Sequence, residues 1–279
     1  MIHALDHLVV TVRSLDDAVT SYETLLGRSA VRISTAGSGG QAWFQLRNVA
    51  LCLRSTLSGG DAEGLSGIAF AVADTENAQR LLARRGLPAL NRMVHGPDAS
   101  GSADAAPRHA LDLDRGATFG TPITLVQAAH RTPPPADAEN RDIPAIPGLD
   151  HIVIRTPNAE RAVALYAGRL GLDLRLDLRN PDWGARLLFF RCADLIVEVV
   201  HDLKAGVSGK PDSVGGLSWR STSIERSHAR LHAAGVAVSE IRAGRKPGTS
   251  VFTVRSHSAG VPTIIVGRKE PTTREPKPG

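Results

Sequence analysis

LDHLVV at residues 5–10 and LDHIVI at residues 149–154 are one phrase written twice, once in each half of the chain. In both copies an apolar strand-like run surrounds the histidine and a helical spacing follows it. Residues 15–26 (LDDAVTSYETLL) place apolar side chains at 15, 18, 19, 22, 25 and 26, and Gly27 closes the pattern. In the second copy Asn158 is placed to cap a helix whose apolar positions are Ala162, Val163, Leu165, Tyr166 and Leu170, ahead of Gly171. Paired strands come next: 43–46 with 49–53, turning at Arg47-Asn48, and 186–191 with 195–200, turning at Ala193-Asp194. Each copy therefore reads as βαβββ.

Two weaker copies fill the intervals. Residues 67–72, 75–85 and 122–126 give a strand, a helix and a closing strand. Residues 217–222, 225–234, 236–241, 251–255 and 262–266 give a strand, a helix and three strands. The class is α+β, with four βαβββ modules in two pairs. An N-terminal domain over 1–130 and a C-terminal domain over 149–267 follow from this. Between them, 131–148 is a proline-rich linker that cannot continue a sheet. Residues 96–107 read as a low-complexity insertion and 268–279 as a disordered tail.

Composition narrows the function. No 18-residue apolar run and no basic-then-apolar leader occurs, so a soluble, unprocessed protein without a membrane partner is expected. Cys52 and Cys192 are the two cysteines, each in or beside an apolar run; this suits free thiols in the cytoplasm rather than a disulfide framework. The net charge is +5, but the 33 Lys and Arg are dispersed and aromatics make up 4%, so neither a basic stripe nor a stacking platform for nucleic acid is present. The basic turn at 244–249 (GRKPGT) lacks phosphate-loop spacing, which argues against a nucleotide. Monomer and homodimer are both compatible with an internally duplicated chain.

Paired βαβββ modules that begin LDH and carry a helix ending in Leu-Gly resemble the vicinal oxygen chelate superfamily. That group includes glyoxalase I, extradiol dioxygenases, methylmalonyl-CoA epimerase and the bleomycin resistance proteins. The resemblance implies two cup-shaped mixed sheets with helices outside, and ligands drawn from the first and last strand of each module. Carried over, the first-strand positions are His7, Gly67, His151 and Leu217, and the last-strand positions are Cys52, Thr124, Glu198 and Ile264. Only His151 and Glu198 form a histidine–carboxylate pair; His7 faces Cys52. Extradiol iron chemistry needs a face of two histidines and one carboxylate, which neither pair of modules supplies.

The resemblance implies a small-molecule ligand and one divalent metal (zinc, nickel, manganese or iron), with His151, Glu198 and His7 as metal ligands. A site fed by both halves would collect His7, Cys52, His151 and Glu198, a zinc set by ligand type. His151 and Glu198 are also the candidate catalytic acid/base pair, since a carboxylate on an apolar strand face must be paired, hydrogen-bonded or metal-bound. Trp219, Arg220, Arg245, Lys246, Phe252 and Arg255 are candidate substrate contacts, with Trp219 and Arg220 on opposite strand faces. An enzyme of lyase, isomerase or epimerase type, acting in the C-terminal cup on an oxygenated anion, is one expectation. A metal-free binding or sequestering protein, its cup lined by Trp183, Phe189, Trp219 and Phe252, is the other.

Overall fold

The computed structural model describes residues 1–34, 40–55, 63–97, 106–128 and 145–268. Most of the expected linker (129–144), of the insertion (98–105) and of the tail (269–279) lies outside the described residues. The first half runs β1 (Ile2–Val12), α1 (Leu15–Leu26), β2 (Val31–Ser34), β3 (Gly40–Gln45), β4 (Ala50–Ser55), then β5 (Gly64–Val72), α2 (Thr75–Arg84), β6 (Ala89–Val94), β7 (Arg108–Leu113) and β8 (Ile123–Gln127). The second runs β9 (Leu149–Arg155), α3 (Ala159–Val163, continued by a π-helical turn over Ala164–Arg169), β10 (Asp173–Asn180), β11 (Ala185–Cys192) and β12 (Leu195–Asp202). It ends with β13 (Ser213–Ser221), α4 (Ile224–Ala233), β14 (Arg242–Ala243), β15 (Thr249–Val254) and β16 (Thr263–Arg268).

Each half makes one eight-stranded mixed sheet, in the orders β2-β3-β4-β1-β5-β8-β7-β6 and β10-β11-β12-β9-β13-β16-β15-β14. The modules pair in sequence order, one with two and three with four. Within a module the first and last strands lie parallel, β1 beside β4 and β9 beside β12. Side-chain polarity explains the helix positions. Ser14, Asp74, Asn158 and Ser223 cap α1 to α4 by accepting hydrogen bonds from first-turn N–H groups. The apolar stripes of these helices cover one face of each sheet, and a single hydrophobic core runs through both halves. One expected strand is absent: residues 236–241 form only a bridge at Val238–Val254. There the Ser239 hydroxyl accepts from the Thr253 N–H and the Ser256 hydroxyl from the Ala237 N–H, beside two backbone bonds, from the Ser239 N–H to the Thr253 carbonyl and from the Arg255 N–H to the Ala237 carbonyl.

The faces turned away from the helices differ between halves. In the first half Ile33, Trp43, Ala50, Cys52 and Val9 pack into a cluster, with His7 edge-on to Trp43 at 5.1 Å between ring centroids. Gly96 lies so close to the Trp43 ring that an added Cβ would sit 3.1 Å from it. This cup is filled by its own side chains: Trp43 is 3% and His7 4% exposed. In the second half the corresponding face keeps His151, Val153, Phe189, Ile196, Ile264 and Val266 half-exposed. Replacing Trp43 by Ala should lower unfolding free energy by about 3–5 kcal/mol, and Phe189→Ala by about 1 kcal/mol, in denaturant titrations. Equal losses would contradict one filled and one open cup.

Candidate functional site

Register brings the two candidate residues together. In the parallel pairing of β9 with β12, Val153 is the partner of Glu198 and Ile196 that of His151, so all four side chains share one face. His151 Nε2 lies 3.4 Å from Glu198 Oε2, with the two side chains 19% and 11% exposed. His151 Nδ1 sits 2.9 Å from Asp150 Oδ2, which fixes the proton on Nδ1 and leaves Nε2 facing Glu198 and the cup. At 3.4 Å the Nε2–carboxylate contact is looser than a strong hydrogen bond. Both groups thus keep capacity for a ligand atom. Glu198 is paired with a histidine rather than with Arg155, Arg191 or Arg220.

The pair is anchored by a chain of contacts that starts in the other half. Asn48, in the β3–β4 turn, accepts from the Leu149 N–H and donates to the Leu149 carbonyl, at 3.0 and 2.8 Å. An added Cβ at Gly148 would lie 2.4 Å from the Asn48 side-chain oxygen, so only glycine allows this approach. The Asn48 amide also reaches the Asp194 carboxylate at 3.2 Å, and Arg220 Nη1 binds the same carboxylate at 2.8 Å. Arg220 Nε then contacts Asp150 at 3.4 Å. Burial pushes the Asp150 carboxyl up, but the hydrogen bond and charge of His151 and the Arg220 guanidinium together hold it below its ordinary value.

Other expected contacts divide. Trp219 and Phe252 are fully buried on the helix-covered face, so neither lines the cup. Arg220 is on the cup face as one of the two alternatives, but it is engaged by Asp150 and Asp194. Leu217 also points into the core, and Ser218 takes the position opposite His151. Its hydroxyl is buried without a hydrogen-bond partner among the described residues. Strand alternation through Trp219 and Arg220 could have located Ser218 from the sequence. Arg245 lies over the Trp183 ring, 5.2 Å from its centroid. Trp183 belongs to the β10–β11 turn and Arg245 to the β14–β15 turn, so the two outer edges of the second sheet meet at this cation–π contact. Lys246 follows in that turn, its carbonyl accepting from Thr249, and Arg255 is exposed just beyond β15.

Residues 150–253 match the family described as Glyoxalase/Bleomycin resistance protein/Dioxygenase superfamily. The whole chain has the two-domain vicinal oxygen chelate fold. No curated protein sequence matches the chain. Among solved structures, the Mn(II)-bound glyoxalase from Novosphingobium aromaticivorans superposes with a TM-score of 0.70 at 14% identity, covering 95% of this chain and 82% of that one. The 2,3-dioxygenase LapB from Pseudomonas sp. KL28 gives 0.67 at 17% identity, covering 99% and 96%. The 2,2',3-trihydroxybiphenyl 1,2-dioxygenase from Sphingomonas wittichii strain RW1 gives 0.67 at 19% identity, covering 96% and 91%.

The ligand set of such a metal centre is not assembled here. His7 belongs to the first sheet, where its Nδ1 contacts Asp6 at 2.6 Å, so neither the His7–His151–Glu198 set nor the four-residue set with Cys52 is gathered. Cys52 occupies the register of Glu198, beside Val9 on β4, but burial pushes its thiol up to about 12 and makes it an unready thiolate donor. Among the described residues no group of three His, Cys, Asp or Glu stands where it could hold a metal. Two donors do not fit a resident divalent ion in a vicinal oxygen chelate cup. No described helix is long and apolar enough to cross a membrane.

The first LDH copy has a different task. Burial pushes the Asp6 carboxyl up, yet Arg108, at 2.8 and 2.9 Å, and His7 overrule it and hold that carboxyl far below the usual range. A lowered folded-state pKa means this stabilisation is fully present above the unfolded value of about 3.9 and is lost as pH falls below it. Wild-type stability should fall faster than that of Asp6→Asn between about pH 4 and 2, measured by urea unfolding across that range. At neutral pH Asp6→Asn should cost about 3 kcal/mol by stranding Arg108. Parallel pH profiles would contradict the assignment.

Proposed function

We propose that the C-terminal cup binds a small oxygenated anion and that His151 and Glu198 move a proton on it, as in isomerase, epimerase or lyase chemistry. The observation that carries this is the 3.4 Å His151–Glu198 pair on an open face, with Asp150 behind the imidazole. The Glu198 carboxylate takes a proton from the carbon next to a ligand carbonyl. Nε2–H of protonated His151 gives its proton to the carbonyl oxygen, yielding a neutral enol. Return of a proton from Glu198 to either face or to a neighbouring carbon, with His151 recovering its own, completes the cycle. Asp150 supports the imidazolium when His151 is charged. Arg255, just beyond the end of β15 and two residues from Thr253 in the row of His151, is the proposed cation for the ligand's anionic group, with Arg245 and Lys246 at the opposite end of that strand.

The Mn(II) of the Novosphingobium glyoxalase is a property of that protein. A divalent ion here would have only the His151 imidazole and the Glu198 carboxylate as donors, one short of the smallest protein ligand set of a catalytic metal. A cytoplasmic location goes with this reading, since both cysteines are buried free thiols. Ligand sequestration without turnover is the second reading, favoured by the exposed Leu176 and half-exposed Phe189 on the cup side.

The test is solvent exchange. Wild-type protein and the Glu198→Gln and His151→Gln variants are incubated in D2O with a series of α-hydroxy ketones and 2-oxo acids, and loss of the α-proton is followed by NMR. Wild type is expected to catalyse exchange in the presence of a chelator, with each variant slower by about 10²-fold or more. Exchange abolished by chelation and restored by a divalent ion overturns the metal-independent mechanism. Ligand binding in all three proteins without exchange supports sequestration instead.

A further inference from the structure

Outside the C-terminal cup, a crevice of about 440 Å³ opens between the two halves. Equivalent segments of the repeat face each other across it. The pairing of Ile68 with Ile123 and of Leu217 with Thr263 aligns 63–66 of the first half with 212–215 of the second, and the Gly-Thr-Pro turn at 120–122 with Gly-Val-Pro at 260–262. Segments from all four stretches line the crevice, together with Thr11, Arg54 and Arg115. The backbone joins the halves at its floor, where the Asp212 N–H donates to the Phe119 carbonyl at 2.7 Å. An added Cβ at Gly120 would lie 2.8 Å from Pro211.

The charges of the lining do not cancel. Glu63 is paired with Arg13 at 2.7 Å, and Asp212 with Arg161 at 2.5 Å, so each acid already carries its own arginine. Arg54 and Arg115 have no acidic partner among the described residues. Two arginines facing one crevice are built for carboxylate or phosphate. Hydroxyls of Thr11 and Ser66, 2.7 Å apart, stand beside them. The Asp212 side chain is 0% exposed, so its carboxylate is sealed inside the wall, out of reach of a ligand.

We propose that this crevice is a second ligand site for a small dianion of the dicarboxylic acid class. Arg54 and Arg115 hold the two anionic ends, with the Thr11 and Ser66 hydroxyls beside them. Because the walls come from both halves, occupancy ties them together and raises the unfolding temperature. The site stands apart from His151 and Glu198, which line none of it, and the inference holds whatever chemistry they perform.

Calorimetric titration of the full chain with malate, succinate and inorganic phosphate tests it, with unfolding temperature as a second readout. Malate and succinate should both bind and raise the unfolding temperature, and inorganic phosphate, a single anionic centre, should bind about tenfold more weakly. Arg54→Gln and Arg115→Gln, at half-buried and exposed positions that leave the core intact, should each weaken malate by about tenfold or more. His151→Gln should leave it unchanged. No malate binding to wild type, or binding lost in His151→Gln and kept in both arginine variants, overturns the proposal; phosphate binding equal to malate overturns the dicarboxylate specificity.

Discussion

Parallel pairing of the first and last strands of a module is the constraint on which the candidate site depends. It sets Val9 beside Cys52 in one half and Val153 beside Glu198 in the other. Pleating then turns His7 and Cys52, or His151 and Glu198, to the face away from the helices. The same backbone thus delivers two side chains to the centre of two cups. What occupies those positions decides whether a cup performs chemistry or merely packs.

The two halves took opposite courses from this shared geometry. Trp43, the cross-strand partner of Cys52, fills the first cup, and its counterpart Phe189, the partner of Glu198, leaves the second open. The first histidine became part of an Asp6–Arg108 cluster under the Trp43 ring. Its half nevertheless serves the second site, because Asn48 holds the start of β9 and the Asp194 carboxylate that positions Arg220 behind Asp150. A degenerate cup and a working scaffold are compatible in one domain.

Repetition made the fold legible. The LDH phrase, the helix patterns and the turns at Arg47-Asn48 and Ala193-Asp194 placed all four helices and most strands, since periodicity and turn chemistry are local. The stretch at 236–241 was read as a full strand but forms only one bridge, because the Ser239 and Ser256 hydroxyls take two of the ladder's acceptor places, which no periodicity reports. The pairing of His151 with Glu198 was what the family resemblance carried by the repeat implied, and alternation placed only Glu198 on a face with Ile196. The burial of Trp219 and Phe252 was not, since which face a helix covers is settled only when the sheet is assembled. Asp150 and Ser218 were overlooked although the first is inside the repeated phrase itself. The Arg245–Trp183 contact joins strands at opposite ends of the sheet order, a non-local closure that no window of sequence contains.

The central claim is that one copy of the repeated phrase holds a ligand and the other holds the fold. Crystals soaked with a small α-hydroxy ketone test it in a single electron-density map. Ligand density within hydrogen-bond distance of both His151 and Glu198, with none beside His7 and Cys52, is the expected result. Density against His7 and Cys52, or a C-terminal cup closed by its own side chains, would contradict it.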